Sequence, residues 1–360
     1  MKSIQKAGKR AGLREVAQAA GVSIATASRV LSGAGNVNQA LHERVVKAAV
    51  GLGVDVERKN TSRIIAFLLS NRGVLHPFHS SVLVGAEAYC AAHDYGLLFL
   101  LLQYPPNVPW KNLLIPQILQ QHEIIRAAIV AGTNSQNLLD FLAHKNIPFV
   151  TLGNNVLGDW KKEEHSAVYF DDIEGAYDLT RYLQSLGHEK IWYVGNCRLP
   201  WFARRYEGYH RAMKQAHLKV LLSDVNSDNG EDLGYLATKT IFSKGEPVTA
   251  IFAGEDSAAR GAYKALRDRG IRIPEDISVA GFNDTSEASA LSPPLTSAHV
   301  FTDQLGRQMA ELVMNRIARP DLPPQVLTLP TRLVKRESCC ALSEAGGATV
   351  APSLSPPLEP

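Results

Sequence analysis

The chain has 360 residues, of which 45% are hydrophobic and 20% charged. That excludes a disordered or fibrous chain and suits a globular protein of two or three domains. No run of about 18 apolar residues occurs, so no transmembrane helix is expected; the basic start (Lys2, Lys6, Lys9, Arg10) lacks the apolar segment of a secretory signal. The net charge of +3 is unevenly spread: residues 1–63 hold 11 Lys and Arg against 4 Asp and Glu, leaving 27 against 31 for residues 64–360. A basic head on a slightly acidic body points to a polyanionic partner at the head, with a solvated basic tail as the plain alternative. Four cysteines (Cys90, Cys197, Cys339, Cys340) without framework spacing suit a reducing cytoplasm, and the Cys339–Cys340 pair reads as incidental.

Taken in chain order, the first element is a short helix over residues 13–20. Leu13, Val16, Ala17 and Ala20 fall at i, i+3, i+4 and i+7 and make one apolar stripe. Gly21 can take the left-handed conformation that ends a helix, Val22 plugs the turn, and Ser23 is a good N-cap for a second helix. That helix runs from about Ile24 to Leu31, with Ala27, Val30 and Leu31 inward and Ile24, Ala25, Thr26, Ser28 and Arg29 outward. Two short helices joined by a three-residue turn form a helix-turn-helix. The small residues let the helices approach closely. A third helix is expected from about Gln39 to Leu52, capped by Asn38, with Leu41, Val45, Ala48, Ala49 and Leu52 as its apolar stripe.

In such a unit the second helix enters the DNA major groove. Ile24 and Ala25 can offer only apolar contacts there, for example to thymine methyls. Arg29 can reach a guanine edge or a phosphate; Ser23, Thr26 and Ser28 suit phosphates, which set register rather than sequence. An ordinary three-helix packing module is the competing reading.

The stretch "REVAQAAGVSIATASRVLS" (14–32) resembles the signature D-V-A-x-x-A-G-V-S-x-x-T-V-S-R-V-L-N of the LacI/GalR family of bacterial transcription repressors. It matches at Glu15-Val16-Ala17, Ala20-Gly21-Val22-Ser23, Thr26 and Ser28-Arg29-Val30-Leu31. Ala27 replaces the usual Val and Ser32 the usual Asn. "GNVNQALHERVVKAAVGLG" (35–53) is similar to the family's third helix.

Beyond residue 62 the pattern changes. The runs at 63–70, 97–103, 127–132, 148–153, 190–195, 248–254 and 276–282 read as buried parallel strands, with helical patterns between them. This is βαβ logic, implying parallel sheets covered on both faces, and the length favours two lobes. Ligands in such folds bind beyond the carboxyl ends of the strands. The family resemblance covers about residues 13–337, through stretches such as "RRYEGYHRAM" (204–213) and "IFAGEDSAARGAYKALRDRGIRIPEDISVAGFND" (251–284). It implies a body like the periplasmic sugar-binding proteins, with two lobes closing on a small polar effector and three crossings, placed near residues 170, 297 and 328. The expected organisation is a head over 1–57, a short linker over 58–62, and an effector-binding and dimerisation domain over 63–337. Lobe 1 takes about 63–169 and 298–328; lobe 2 takes about 170–297 and 329–337. Residues 338–360, rich in Pro, Ala and Ser, are expected to be disordered.

The resemblance also marks an effector pocket. "HPFHS" (76–80) is similar to the family's N-P-F-F, with Phe78 as a stacking platform and His76 or His79 as hydrogen-bonding groups. Asp171 and Asp172 follow a strand near residue 168, and capping of the next helix is their alternative role. Arg205 stands in Arg-x-x-Gly-Tyr, where the family's effector-binding arginine lies, and its planar fork can hold two ligand oxygens. Glu255-Asp256 occupies the usual Asn-Asp position, with helix capping again the alternative, Asn283 the position of the usual Asp, and Trp201 offers an aromatic wall. Glu255 and Asn283 change the donor set relative to known sugar binders, so a different sugar, an acid or a lost response all fit. Two histidines without a third ligand do not make a metal site, and no cofactor is expected.

Between head and body, "LGVDVERKNTSRIIAF" (52–67) departs from the family. Val54 stands where Tyr is usual, no Pro-Asn follows, and no wedge leucine precedes the first strand. This predicts a chain without the hinge helix that kinks DNA in the family, with Arg58, Lys59 and Arg63 contacting phosphates instead. The sequence thus reads as a regulator that binds a palindromic operator as a homodimer, since one helix-turn-helix reads a half-site. Two other classes are weighed against it. One is a small-molecule sensor with lost DNA specificity. The other is an enzyme, for which G-x-S-x-G, P-loop and H-E-x-x-H motifs are all missing.

Overall fold

A computed structural model describes residues 12–32, 38–54, 62–73, 76–121 and 123–342. Arg58 and Lys59, and with them the linker, lie outside the described residues.

The head holds α1 (Leu13–Ala20), α2 (Ile24–Ser32) and α3 (Gln39–Gly51). Gly21 takes φ 61° and closes α1; the Val22 N–H donates back to the Ala17 carbonyl at 3.0 Å, a turn that a side chain at Gly21 would strain. Ser23 Oγ accepts from the Thr26 N–H at 3.0 Å and starts α2. Asn38 does the same for α3 through the Ala40 N–H at 2.9 Å. Val16, Ala17, Ala20, Ala27, Val30, Leu31, Val45 and Ala49 form the core. Leu41 and Ala48 are only half-buried. Leu52 is exposed, because α3 stops at Gly51 and it is Val54, its N–H donating to the Ala49 carbonyl at 2.9 Å, that packs on the core instead. Arg44 adds a device the sequence did not advertise: its Nη2 donates to the Ala20 carbonyl at 2.7 Å, so α3 caps the C-terminus of α1.

Among the described residues the body holds two six-stranded sheets. The first runs β13 (Val326–Leu329), β7 (Ser166–Phe170), β5 (Phe149–Leu152), β3 (Ile125–Gly132), β1 (Ile64–Ser70), β2 (Gly96–Leu102). The second runs β14 (Thr331–Val334), β12 (Thr296–Val300), β11 (Ser278–Asn283), β10 (Ala250–Ala253), β8 (Ile191–Gly195), β9 (Leu221–Asp224). In the second sheet only β14 pairs antiparallel, Ala298 opposite Leu333. The short β4 (Asn134–Ser135) and β6 (Val156–Leu157) pair beside the first sheet.

The strand interiors are continuous apolar runs, such as Ile65–Leu69 on β1 and Ala250–Ala253 on β10. Sheets covered on both faces require this. Packed on the first sheet are α4 (Pro77–Ala92) and α11 (Thr302–Ala318), with α5 (Gln136–His144) beside β4. The second carries α6 (Asp172–Ser185), α7 (Pro200–Gln215), α8 (Gly230–Ser243) and α9 (Asp256–Arg267), with α10 (Ser286–Ala290) against α9.

The chain passes between the sheets after Phe170, after Val300 and at Pro330. The second passage falls a few residues beyond the expected 297, because β12 stays paired with β11 as far as His299. The tail expectation needs a larger correction. Residues 338–342 pack on the second lobe: Ser338 is fully buried and donates to the Val279 carbonyl at 2.6 Å, while the Leu342 N–H reaches the Leu186 carbonyl. Residues 343–360 lie outside the described ones.

Candidate functional site

On the head, Ile24, Ala25, Ser28 and Arg29 are exposed along the outer face of α2, and Thr26 is half-buried. Ile24 is 46% exposed, a large apolar side chain at the start of a helix, left uncovered by the described residues of the head. The Ser23 and Thr26 hydroxyls lie 2.8 Å apart, so the cap and the second hydroxyl form one unit. α1 and α3 supply the core behind this face.

In the body, the carboxyl ends of the strands of both sheets converge on a cleft. Arg72 follows β1, His76 stands at the N-terminal boundary of α4 without a side-chain capping bond, and Phe78 and His79 lie in its first turn. Asn155 follows β5 and Phe170 ends β7. From the second lobe come Trp201 and Arg205 on α7, Glu255 after β10, and Asn283 at the end of β11. These ten residues line one tight cavity of about 20 Å3. It adjoins a wider mouth of about 260 Å3 that shares Arg72, His76, Glu255 and Asn283.

Arg205 is 2% exposed. Its Nη1 donates to the Gly254 carbonyl at 2.5 Å and its Nη2 to Asn283 Oδ1 at 2.9 Å. Its guanidinium lies 4.0 Å from the Phe282 ring centroid, and its Nε has no partner among the described residues. Burial lowers its pKa. Asn283 holds φ 105°, a costly conformation for a residue with a side chain. Arg72 stacks 4.3 Å over Trp201, and its Nε donates to Thr133 Oγ1 at 2.9 Å. His76 and His79 lie 5.4 Å apart, each with Nδ1 unpartnered. Burial lowers the pKa of both, so both are neutral near pH 7. The cleft therefore offers guanidinium, imidazole and amide groups between aromatic walls (Phe78, Phe170, Trp201), a donor set for a hydroxyl-rich ligand.

Of the seven residues expected in the pocket, six line this cavity: His76, Phe78, Trp201, Arg205, Glu255 and Asn283; His79, the alternative to His76, lines it as well. Asp171 does not. Its Oδ1 accepts from the Glu174 N–H at 3.0 Å and caps α6, the alternative role that its position before a helix allowed. Asp172 pairs with Arg204, which also donates to the Asn154 carbonyl and so ties the second lobe to the first. Arg72, Asn155 and Phe170 were missed. Each is placed by strand pairing far away in sequence, and no local pattern marks them.

Asp256, at the floor of the mouth, is buried and accepts from Ser297 Oγ (2.7 Å), the Thr285 N–H (2.7 Å) and Thr285 Oγ1 (3.0 Å). Burial outweighs these bonds and pushes its carboxyl up to about 7. The folded protein thus holds this proton more tightly than the unfolded chain does. The stability it contributes is complete below about pH 4 and is lost as pH rises through about 7. Asp256→Asn is expected to remove that slope. Melting temperatures of variant and wild type across pH 4–8 check it, and parallel curves would contradict it.

Among the described residues, no helix is long and apolar enough to cross a membrane, and no His, Cys, Asp and Glu cluster could hold a metal ion. Residues 12–53 match the bacterial regulatory proteins of the lacI family, and residues 180–339 match the periplasmic binding protein-like domain. The chain is 30% identical over 350 residues to the HTH-type transcriptional repressor PurR of Vibrio cholerae, covering 93% of this chain and all of that one. Among solved structures it is similar to a transcriptional regulator CelR–cellobiose complex (TM-score 0.66, 27% identity, 91% of this chain and 100% of that chain). The Lac repressor dimer bound to operator and the anti-inducer ONPF shares the fold (TM-score 0.66, 22% identity, 92% of this chain and 100% of that chain).

Proposed function

The chain belongs to the lacI family of bacterial regulatory proteins, and we propose that it represses transcription by binding operator DNA through its head, under control of a small polar, sugar-like effector held between the lobes of its body. The observation that carries this is the cleft: six effector-contact residues named from sequence line one cavity at the strands' carboxyl ends, where ligands bind in α/β folds. On the head, the exposed face of α2 supplies Ile24, Ala25, Ser28 and Arg29 for the major groove. The protein acts in the cytoplasm as a homodimer on a palindrome and catalyses no reaction. Its relatives are repressors, and two heads are needed to read two half-sites.

Selection of duplexes from a random pool tests the reading, using the full chain and a truncated one starting at Arg63. A palindrome enriched only by the full chain is expected. No enrichment, with or without candidate ligands, would favour a sensor without DNA specificity. Arg58 and Lys59 are proposed as phosphate contacts from the linker. Replacing both with alanine is expected to flatten the dependence of log affinity on log salt by about 0.9 for each phosphate no longer neutralised. An unchanged slope removes them from the interface.

A further inference from the structure

The inner cleft holds two guanidinium groups and one carboxylate. Arg72 and Arg205 both line it, and neither has a carboxylate oxygen within ion-pair distance among the described residues. Each is instead held by aromatic stacking and by neutral acceptors: Trp201 and Thr133 for Arg72, Phe282, Gly254 and Asn283 for Arg205. Glu255, 8% exposed, is the one inner carboxylate, and its Oε1 already accepts from Ser257 Oγ at 2.6 Å.

The mouth is more acidic, but its charges are compensated or wet. Arg260 bridges Glu231 and Glu287 at 2.9 Å each with 41% of its side chain exposed, and Asp228 is exposed. Asp256 is occupied by Ser297 and Thr285. Water and salt screen such rim charges, whereas the inner groups are desolvated and feel a bound charge strongly. With Arg205 buried, Arg72 half-buried and Glu255 the one inner carboxylate, a neutral ligand would leave one positive charge of the inner cleft uncompensated; a monoanion balances the site.

We propose that Arg72 and Arg205 together seat a single carboxylate, so that the effector is a small hydroxy acid rather than a neutral sugar. This rests on the reading of the cleft as the effector site. His76, His79, Asn155 and Asn283 serve the hydroxyls. The inner cavity of about 20 Å3 has room for a single small group, and the adjoining mouth of about 260 Å3 takes the rest of a compact molecule. Arg72 is the added specificity determinant, and Glu255 tunes the site by opposing it.

Calorimetric titration of the full chain with matched pairs tests this: D-gluconate against D-glucitol, D-galacturonate against D-galactose, glycerate against glycerol. In at least one pair the acid binds about tenfold or more tighter, as one desolvated charge contact requires. Arg72→Met removes that preference, and Glu255→Gln widens it. Opposite signs from two residues of one cavity are not a folding defect. Equal or tighter binding of the neutral members overturns the carboxylate seat and leaves the effector site standing. No binding by either member of any pair overturns both. A preference for acids unmoved in both variants overturns the assignment to Arg72.

Discussion

Replacing Arg205 with alanine is expected to weaken effector binding by about a hundredfold or more and to lower stability. The side chain is buried and holds both its acceptors with charge-assisted geometry. Its removal leaves the Gly254 carbonyl and Asn283 Oδ1 without donors, at about 1–3 kcal/mol for each orphaned acceptor. Asn283 then keeps its positive φ without the bond that holds its side chain. Arg205→Lys separates charge from shape: lysine keeps the charge but cannot reach two acceptors through a planar fork. It is therefore expected to recover stability partly and ligand affinity little. Calorimetric titration and scanning calorimetry on both variants check this, and a lysine variant that binds like wild type would mean that charge alone matters.

The second large effect lies in the head. Ala27 has no exposed surface and packs among Val16, Ala17, Ala20, Val30 and Val45. Ala27→Leu adds three carbon atoms where none fit. Overpacking costs about 1–3 kcal/mol in ordinary cores, and a three-helix unit this small has little to spare. DNA affinity is expected to fall by at least about tenfold, while effector binding by the body stays at the wild-type value. Titrating operator duplex and effector separately reads both. Loss of effector binding together with DNA binding would mean that the body depends on the head for folding.

The head was legible because its structure is local. Gly21, Ser23 and Asn38 each act on residues within a few positions, and the stripes of α1 and α2 follow helical spacing. The Arg44 cap on α1 was not legible, since it spans 24 positions between two helices. The seven strand runs each overlap an observed strand, but β9, β13 and β14 lie at sheet edges, where half-exposed residues blur the apolar run, and β12 was missed although most of it is buried. Six pocket residues were legible through a resemblance. Arg72 was not, because its partner Trp201 comes from the other lobe. Asp171 was read as a pocket residue because a carboxylate after a strand suits a ligand and a helix cap equally well. Composition misled at residues 338–342: the Pro, Ala and Ser of the tail hid Ser338 and Cys339, whose contacts lie on β11.

The central claim is that a ligand in the cleft sets the head's hold on DNA. The most direct test is a titration of the selected operator duplex onto the full chain, with and without a saturating ligand that binds the cleft, alongside the reverse titration of ligand with and without duplex. Linkage requires the two ratios to be equal. A common factor that differs from one is expected in wild type. A saturating ligand that leaves DNA affinity unchanged would contradict it.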